Sequence, residues 1–304
     1  MLQAPPVNPA QSYAEALERA KAFAALDDDR ILPQARTVLL DHGERTRLCV
    51  VLLHGFTNHP GQYREFAPLL HQRGATVFVP RMPEQGDRDR LTKRMSRLTA
   101  EALLARASQA VDIACGLGER VCVAGISSSG LLCAYFGQYR ADVARAVAIA
   151  PVFAVLRLPY AASRLLTRVM LALPDRYLWW DPRAKENQRP STAYPWFSTH
   201  ALAQTLRIGE DVYAQAKRTP LAASSVVLVT NAQDPAVNNR VTHAVARQWE
   251  KHRRGSVIEF TFANLPRNHD IIEPDNPHAR TDVVYPRLIE FICATAERLK
   301  VFIT

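Results

Sequence analysis

Three consecutive serines between two glycines are the first residues of this sequence whose types and spacing could support chemistry. Residues 125–130 read GISSSG and directly follow the apolar run VCVA. A glycine-serine run at the end of a strand is the setting of the G-x-S-x-G turn, which exposes one serine as a nucleophile. Ser127 has Gly125 two residues before it and Ser129 two after it, and both places require small residues because strand and helix pass close by. We therefore predict that Ser127 is the nucleophile, with a serine-rich helix N-cap as the alternative interpretation.

Two later segments contain the residue types that activate a serine. The segment NAQDPAV (231–237) places Asp234 between an apolar run and a helical pattern, and FTFANLPRNHD (260–270) places His269 in a polar loop. A histidine can take the serine proton, and a carboxylate can hold that histidine in the required tautomer. The pattern predicts a Ser127, Asp234, His269 triad. A turn aspartate before Pro235 is the competing interpretation of Asp234.

Other polar residues near this loop are weaker candidates. His278 is the alternative base, although it lies further along the chain from the predicted strand end. Asp270 and Glu273 adjoin His269, and we interpret them as solvated loop charges.

The segment VVLLHGFTNHP (50–60) ends an apolar run with His54, Gly55 and Phe56. A loop at this place can direct a backbone N–H toward the nucleophile. We expect the Phe56 and Ser128 amides to form an oxyanion hole, which stabilises negative charge on a carbonyl oxygen. An ordinary strand-to-helix loop is the alternative interpretation.

Apolar runs that predict strands alternate with patterns that predict helices. We expect a parallel sheet with helices on both faces. We expect the first two strands to form a hairpin that leads into the buried part of the sheet. The predicted strands cover 37–40, 47–53, 76–80, 120–126, 145–152, 225–231 and 256–262. The predicted helices cover 12–26, 60–73, 99–117, 128–139, 200–217, 237–252 and 282–300.

Composition limits the classes of protein that fit. The formal charge of +9 arises from 38 lysines and arginines against 29 acidic residues. The basic residues are spread along the chain, which favours a solvated basic face over a nucleic-acid partner. Five cysteines without C-x-x-C spacing argue against a disulfide framework or a zinc site.

The sequence also carries expectations about localisation. It contains no apolar run of about 18 residues, the length that spans a bilayer. The first residues, MLQAPPVNPAQ, lack the basic and apolar regions of a secretory signal. We expect a cytoplasmic protein without an integral membrane segment, and its oligomeric state remains open.

Taken in order, these motifs resemble those of the α/β-hydrolases, especially bacterial carboxylesterases and enzymes similar to monoacylglycerol lipases. The resemblance covers residues 37–300 and rests on the segment 52–87, on AGISSSG, on NAQDPAV and on the Asn-His pair that includes His269. The chain order Ser127, Asp234, His269 is the order of that superfamily. The resemblance implies the α/β-hydrolase fold with a helical cap inserted after the fifth predicted strand.

The implied division has three parts. Residues 1–36 form an N-terminal tail and helix, 37–152 and 200–304 form the core, and 153–199 form the cap insertion. The resemblance implies that aromatic and apolar cap residues line an acyl pocket, although each could instead attach the cap to the core. The candidate substrate-binding residues are Met170, Trp179, Trp180, Trp196 and Phe197.

The cap sequence also holds more basic than acidic side chains, so we expect it to favour neutral or anionic substrates over amines. The basic residues are Arg157, Arg164, Arg168, Arg176, Arg183, Lys185 and Arg189. The acidic residues are Asp175, Asp181 and Glu186.

The predicted function is a serine hydrolase that cleaves small to medium carboxylic esters through an acyl-enzyme intermediate. Its partner is a small-molecule ester, and it requires no metal and no organic cofactor. The fold alone leaves other chemistries open. These are a thioesterase or acyltransferase, an aminopeptidase-like hydrolase, a cofactor-free lyase or peroxidase, and a ligand-binding relative without catalysis.

Overall fold

A computed structural model describes residues 2–156, 158–188 and 190–295. Strands and helices alternate along most of the chain, as the apolar pattern predicts. The strands are β1 (Val38–Leu40), β2 (Thr46–Leu53), β3 (Thr76–Val79), β4 (Gly118–Ile126), β5 (Val143–Ile149), β6 (Tyr177–Trp179), β7 (Trp196–Ser198), β8 (Ser225–Asn231) and β9 (Val257–Phe262). The helices are α1 (Tyr13–Ala24), α2 (Phe66–His71), α3 (Ala100–Leu117), α4 (Ser128–Tyr139), α5 (Tyr160–Ala172), α6 (Thr199–Ala216), α7 (Asn239–His252) and α8 (Thr281–Cys293).

Seven strands form the central sheet in the order β1-β3-β2-β4-β5-β8-β9. All neighbouring pairs are parallel except β1 with β3. Consecutive residues of β2 point to opposite faces, so Val51 and Leu53 pack in one core and Val50 and Leu52 in the other. Strands with both faces buried read as continuous apolar runs, which is why the sequence predicts them well. The prediction of a mostly parallel sheet is confirmed.

The first strand departs from the prediction. Strand β1 does not form a hairpin with β2; it pairs antiparallel with β3, with Val38 opposite Val79 and Leu40 opposite Val77. Both edges of β2 are already occupied, because β3 and β4 flank it in parallel. The free edge of β3 therefore takes β1, and the hairpin prediction is wrong.

Helix bounds differ most at two places. The pattern at 60–73 divides into a 3-10 turn (Pro60–Tyr63) and the short helix α2. Helix α8 ends at Cys293, and the remainder of the predicted last helix, from residue 296, lies outside the described residues. No helix within the described ranges has both the length and the apolar character needed to cross a bilayer.

The segment between β5 and α6 contains α5 and a two-stranded antiparallel ribbon, β6 with β7. Helix α5 packs against α6, and α6 packs against α4 and contacts strand β7 of the ribbon. This segment lies where the cap is predicted and is called the cap below; its role as a cap and its bounds at 153 and 199 stay a prediction. It covers the carboxyl ends of β4 and β5, the edge of a parallel sheet at which ligands usually bind.

Candidate active site

Ser127 lies in the tight turn between β4 and α4. Its backbone adopts φ 59° and ψ −115°, a conformation that costs about 1–3 kcal/mol for a residue with a side chain. Its N–H donates to Ile149 O on the neighbouring strand at 2.8 Å, which holds the turn in place. A Cβ at Gly125 would lie 2.9 Å from Ser129 Cβ and 3.0 Å from Leu53 O. The glycine is therefore a steric requirement of the turn.

The three serines of this turn have different surroundings. Ser127 Oγ lies 2.8 Å from His269 Nε2. Ser129 Oγ is buried and donates to His54 O. Ser128 is the first residue of α4, so its N–H has no acceptor inside the helix. Only the Ser127 hydroxyl contacts a base.

His269 connects Ser127 to a carboxylate. Its Nδ1 lies 2.7 Å from Asp234 Oδ2, and the Asp234 side chain is fully buried. The other Asp234 oxygen accepts the backbone N–H groups of Ala236 at 2.8 Å and Val237 at 3.2 Å. An ionised carboxylate only accepts, so the ring carries its proton on Nδ1. Its Nε2 is then free to accept from the Ser127 hydroxyl.

The electrostatic environment favours the protonated form of His269. Burial opposes a charge on the ring, but the hydrogen bond and negative charge of Asp234, together with the charge of Asp270, outweigh it. The pKa of His269 is therefore raised above its ordinary value. A hydrogen bond holds the loop that carries the ring: Asn231 Nδ2 donates to Asn268 O at 2.8 Å.

Asp270 and Glu273 are not the solvated loop charges that the sequence predicts. The Glu273 side chain is 2 % exposed and accepts from Asn58 Nδ2 at 3.1 Å and from Arg64 at 3.2 Å. Asp270 Oδ2 accepts from Gln62 Nε2 at 2.8 Å. Asp270 Oδ1 is buried without a hydrogen-bond partner among the described residues. Burial and the negative charge of Glu273 raise the pKa of Asp270 to about 6.

His278, the alternative base, is exposed in the loop before α8. Its backbone N–H donates to Asn276 Oδ1. The structure therefore brings His269 and not His278 to the serine.

The loop after β2 brings Phe56 to the same cavity as Ser127 and Ser128. The amides on either side of Phe56 are held by two glutamine side chains. Gly55 N–H donates to Gln62 Oε1, and Thr57 N–H donates to Gln85 Oε1, both at 2.8 Å. These contacts fix the direction of the peptide that contains the Phe56 N–H.

His54 supports the same loop from inside the protein. Its Nδ1–H donates to Gly55 O, and its Nε2 accepts from the Met82 N–H, both at 3.0 Å. Burial lowers the pKa of His54 to about 3, so the ring stays neutral at physiological pH. No sequence motif marks His54, Gln62 or Gln85 as part of the site; the one signal is the polar residues that surround the H-G-F segment.

A cavity of about 590 Å³ lies above Ser127 and His269. Most of its wall is apolar, and the cap supplies Met170, Trp180 and Phe197 to it. Trp180 Nε1 donates to Thr57 Oγ1 at 3.0 Å, which joins the cap to the loop that carries Phe56. An apolar cavity of this size beside a few polar groups is typical of small-molecule sites.

Two predicted pocket residues do not line this cavity. Trp179 and Trp196 are directly opposite each other in the β6–β7 ribbon, and their rings are 5.4 Å apart. The next pair along the ribbon, Leu178 and Phe197, faces the cavity. Side chains alternate between the two faces of a ribbon, so the expectation that Trp179 and Trp196 line the pocket is wrong.

Five of the seven basic residues of the cap also lie away from the cavity. Arg157 and Arg189 are outside the described residues. The other five, Arg164, Arg168, Arg176, Arg183 and Lys185, are absent from the part of the cavity wall that the structure describes. The described wall thus offers no cation to an anionic head group, and the expected preference for anionic substrates has no support there.

No three His, Cys, Asp or Glu side chains of the described chain converge as metal ligands would.

Comparison with known proteins identifies the family of the chain. The sequence profile described as the Alpha/beta hydrolase family matches residues 50–282. The chain therefore belongs to the α/β-hydrolase family. No curated protein matches the sequence.

Solved structures share the fold at low sequence identity. One comes from a study of LipS and LipT, two metagenome-derived lipolytic enzymes. It is 19% identical, with a TM-score of 0.67, over 86% of this chain and 98% of that one. A monoacylglycerol lipase of Paleococcus ferrophilus is 18% identical, with a TM-score of 0.62, over 84% of this chain and 97% of that one. A soluble variant of monoglyceride lipase from Saccharomyces cerevisiae is 11% identical, with a TM-score of 0.59, over 85% of this chain and 91% of that one.

Proposed function

We propose that this protein is a serine hydrolase that cleaves neutral carboxylic esters. The observation that carries the proposal is the unbroken hydrogen-bond chain from Ser127 Oγ through His269 to the buried Asp234. It begins at a strained turn that faces an apolar cavity. The similarity to lipolytic enzymes and to monoacylglycerol lipases supports esters as the substrate class.

In the first half of the reaction, Ser127 Oγ attacks the ester carbonyl while His269 Nε2 takes the hydroxyl proton. The ring becomes positively charged, and Asp234 stabilises that charge through the Nδ1–H bond. The tetrahedral intermediate collapses when His269 returns the proton to the leaving alcohol oxygen. The products are the free alcohol and an acyl group bonded to Ser127.

In the second half, His269 takes a proton from water, and the hydroxide attacks the acyl carbonyl. Collapse of this second intermediate releases the carboxylic acid and returns the proton to Ser127 Oγ. In both halves the carbonyl oxygen becomes an oxyanion, and the Phe56 and Ser128 N–H groups are the donors that we assign to it. Gln62 and Gln85 hold the flanking amides and so preorganise the Phe56 donor.

The residues of the cavity wall indicate which kind of acyl group the site binds. Met170, Trp180 and Phe197 offer apolar surface, and no described lysine or arginine contacts the cavity. An uncharged acyl chain of modest length fits this wall, because burying its apolar surface contributes roughly 25 cal/mol per Å². A thioester would react with the same groups. We favour the ester as substrate class because of the similarity to lipolytic enzymes.

The test is hydrolysis of p-nitrophenyl esters with increasing acyl length by the wild type and by Ser127→Ala. Ser127→Ala should lose about 10⁶-fold in kcat, by comparison with other triads. Ser128→Ala is the matched control and should stay near the wild type, because Ser128 acts through its backbone N–H. A Ser127→Ala protein with most of its activity would overturn the assignment, and faster turnover of an acyl thioester or an amino-acyl anilide would replace the ester as substrate.

A further inference from the structure

Two loops that meet at the candidate site come from strands that are not neighbours. The β2 loop (residues 54–65) carries Phe56, and the β9 loop (residues 263–280) carries His269. Strands β4, β5 and β8 lie between β2 and β9 in the sheet, which puts β2 and β9 about 19 Å apart at the usual strand spacing. Strand pairing therefore leaves the position of one loop against the other to side-chain contacts.

A first side-chain bridge joins the two loops through Gln62. Its Nε2 donates to Asp270 Oδ2, and its Oε1 accepts the Gly55 N–H, both at 2.8 Å. Gln62 is 1% exposed, so water does not compete for either end. A side-chain amide that is bonded at both its nitrogen and its oxygen cannot turn over without losing both bonds. Asp270 therefore fixes the orientation of Gln62, and Gln62 in turn fixes the Gly55 N–H.

A second bridge joins the same loops through Asn58. Its Nδ2 donates to Glu273 Oε2, and its backbone N–H donates to Gly55 O, both at 3.1 Å. Its Oδ1 accepts the His59 N–H at 2.9 Å. The Gly55 carbonyl and the Phe56 nitrogen belong to one peptide group. The two bridges hold Gly55 at its N–H and at its carbonyl, and so they set the direction of the Phe56 N–H.

The two carboxyls at the ends of these bridges are costly to bury. Glu273 is 2% exposed, and Asp270 Oδ1 is buried without a hydrogen-bond partner among the described residues. Burial and the negative charge of Glu273 raise the pKa of Asp270 to about 6. Arg64 offsets part of the charge, since its Nη1 donates to Glu273 Oε1 at 3.2 Å. Like charges that are buried close together are typical of functional sites.

We propose that Asp270 and Glu273 are positioning residues for the oxyanion hole. Acting through Gln62 and Asn58, they hold the Phe56 N–H at the place where the carbonyl oxygen becomes negatively charged. This inference rests on the proposed function, because ester hydrolysis is the reaction that builds an oxyanion there. A contact that improves only the transition state changes kcat and not KM, so the loss of either bridge should lower kcat and leave KM unchanged.

The test is a double-mutant cycle of Asp270→Ala and Gln62→Leu, with p-nitrophenyl butyrate as the substrate at pH 8. Each single variant should lose about 10- to 100-fold in kcat, which is less than the loss of a whole oxyanion donor costs. The double variant should be no slower than the slower single variant, because Asp270 acts through Gln62. If Asp270 acted instead through the adjacent His269, the two losses would multiply.

Three further variants complete the test. Asp270→Asn keeps an oxygen for Gln62 Nε2, so its kcat at pH 8 should stay close to that of the wild type. Asn58→Ala breaks the second bridge with Asp270 and Gln62 in place, and it should lower kcat with KM unchanged. Gln138→Leu is the matched control for Gln62→Leu. Gln138 is 3% exposed, accepts from Trp249 Nε1 and is absent from the described cavity wall, so its loss should lower the melting temperature and leave kcat unchanged.

A transition-state analogue separates positioning from general damage to the cavity. A trifluoromethyl ketone adds to the serine and forms a stable oxyanion, as transition-state analogues of acyl transfer do. In Asp270→Ala its inhibition constant should rise by the factor by which kcat/KM falls. The inhibition constant of the matching methyl ketone, which lacks the activating fluorines, should stay the same.

Two results would overturn the positioning role alone. One is a cycle in which the losses of Asp270→Ala and Gln62→Leu multiply. The other is a raised KM with unchanged kcat in Asp270→Ala, together with equal weakening of both ketones. Ester hydrolysis that survives in Ser127→Ala would overturn the proposed function and this inference with it.

Discussion

The buried carboxyl of Asp270 gives a prediction whose magnitude follows from the structure. Burial and the charge of Glu273 raise its pKa from the ordinary 3.8 to about 6. A carboxyl that binds its proton more tightly when folded loses folded-state stability as pH rises through that interval. At about 1.4 kcal/mol per pKa unit, ionised Asp270 costs about 3 kcal/mol above pH 6. The Asp270→Asn variant removes this cost.

The substitution also has a cost of its own. An asparagine keeps one oxygen to accept from Gln62, but its amide nitrogen would occupy the place of Oδ1, which has no partner among the described residues. A buried donor without a partner costs about 1 kcal/mol or more. We therefore expect Asp270→Asn to be about 1–2 kcal/mol more stable than the wild type at pH 8. At pH 4, where Asp270 is protonated, the variant should be less stable than the wild type.

Activity should change in the same variant. Asp270 is one of the negative charges that raise the pKa of His269. Only the neutral ring accepts the serine proton, so the wild type loses activity as pH falls through the pKa of His269. Removing the charge of Asp270 lowers that pKa, and the acid limb of kcat/KM should move to lower pH.

The assay combines urea unfolding at pH 4 and pH 8 with a pH–rate profile. Asp275→Asn is the control, because it makes the same chemical change at a carboxylate that is 51% exposed and bonded to Arg64. An Asp270→Asn variant whose stability shifts equally at both pH values, and whose acid limb stays where the wild type has it, would contradict this role of Asp270.

Four further substitutions test other parts of the site. Asp234→Asn should lower kcat about 10⁴-fold through the wrong histidine tautomer; steady-state kinetics near the wild type would point to another acid. Gly125→Ala should destabilise the fold, because its Cβ would approach Leu53 O and the Ser129 backbone; an unchanged melting temperature would contradict that contact. Trp180→Ala should raise KM for long acyl esters, whereas Trp196→Ala should lower the melting temperature and leave KM unchanged. A raised KM in Trp196→Ala with an unchanged KM in Trp180→Ala would contradict the assignment of Trp180 to the cavity and Trp196 to the ribbon.

The sequence is informative where the physical requirement is local. Strands β4 and β8 are buried on both faces, so each reads as an apolar run. The G-x-S turn needs a glycine at residue 125 because the Cβ and carbonyl oxygen of Ser129, four residues later, leave no room for a side chain. These local constraints explain why the fold and the order of Ser127, Asp234 and His269 can be predicted without a structure.

The sequence is less informative where contacts between residues far apart in the chain decide the structure. The pairing of β1 depends on which edges of β2 and β3 are free. The Trp179 and Trp196 rings share a face only because β6 and β7 pair in one particular register. The burial of Glu273 depends on Asn58 and Arg64, which lie more than 200 residues earlier in the chain. No local pattern reports such contacts.

The most direct test of the account is the site of covalent labelling by a serine-reactive fluorophosphonate. Intact mass and peptide mapping of the wild type should show one adduct, on Ser127, formed at the rate at which ester hydrolysis is lost. Asp234→Asn should label far more slowly, because His269 then cannot activate the serine. An adduct on Ser129, or full loss of hydrolysis without an adduct on Ser127, would contradict the assignment of Ser127 as the nucleophile.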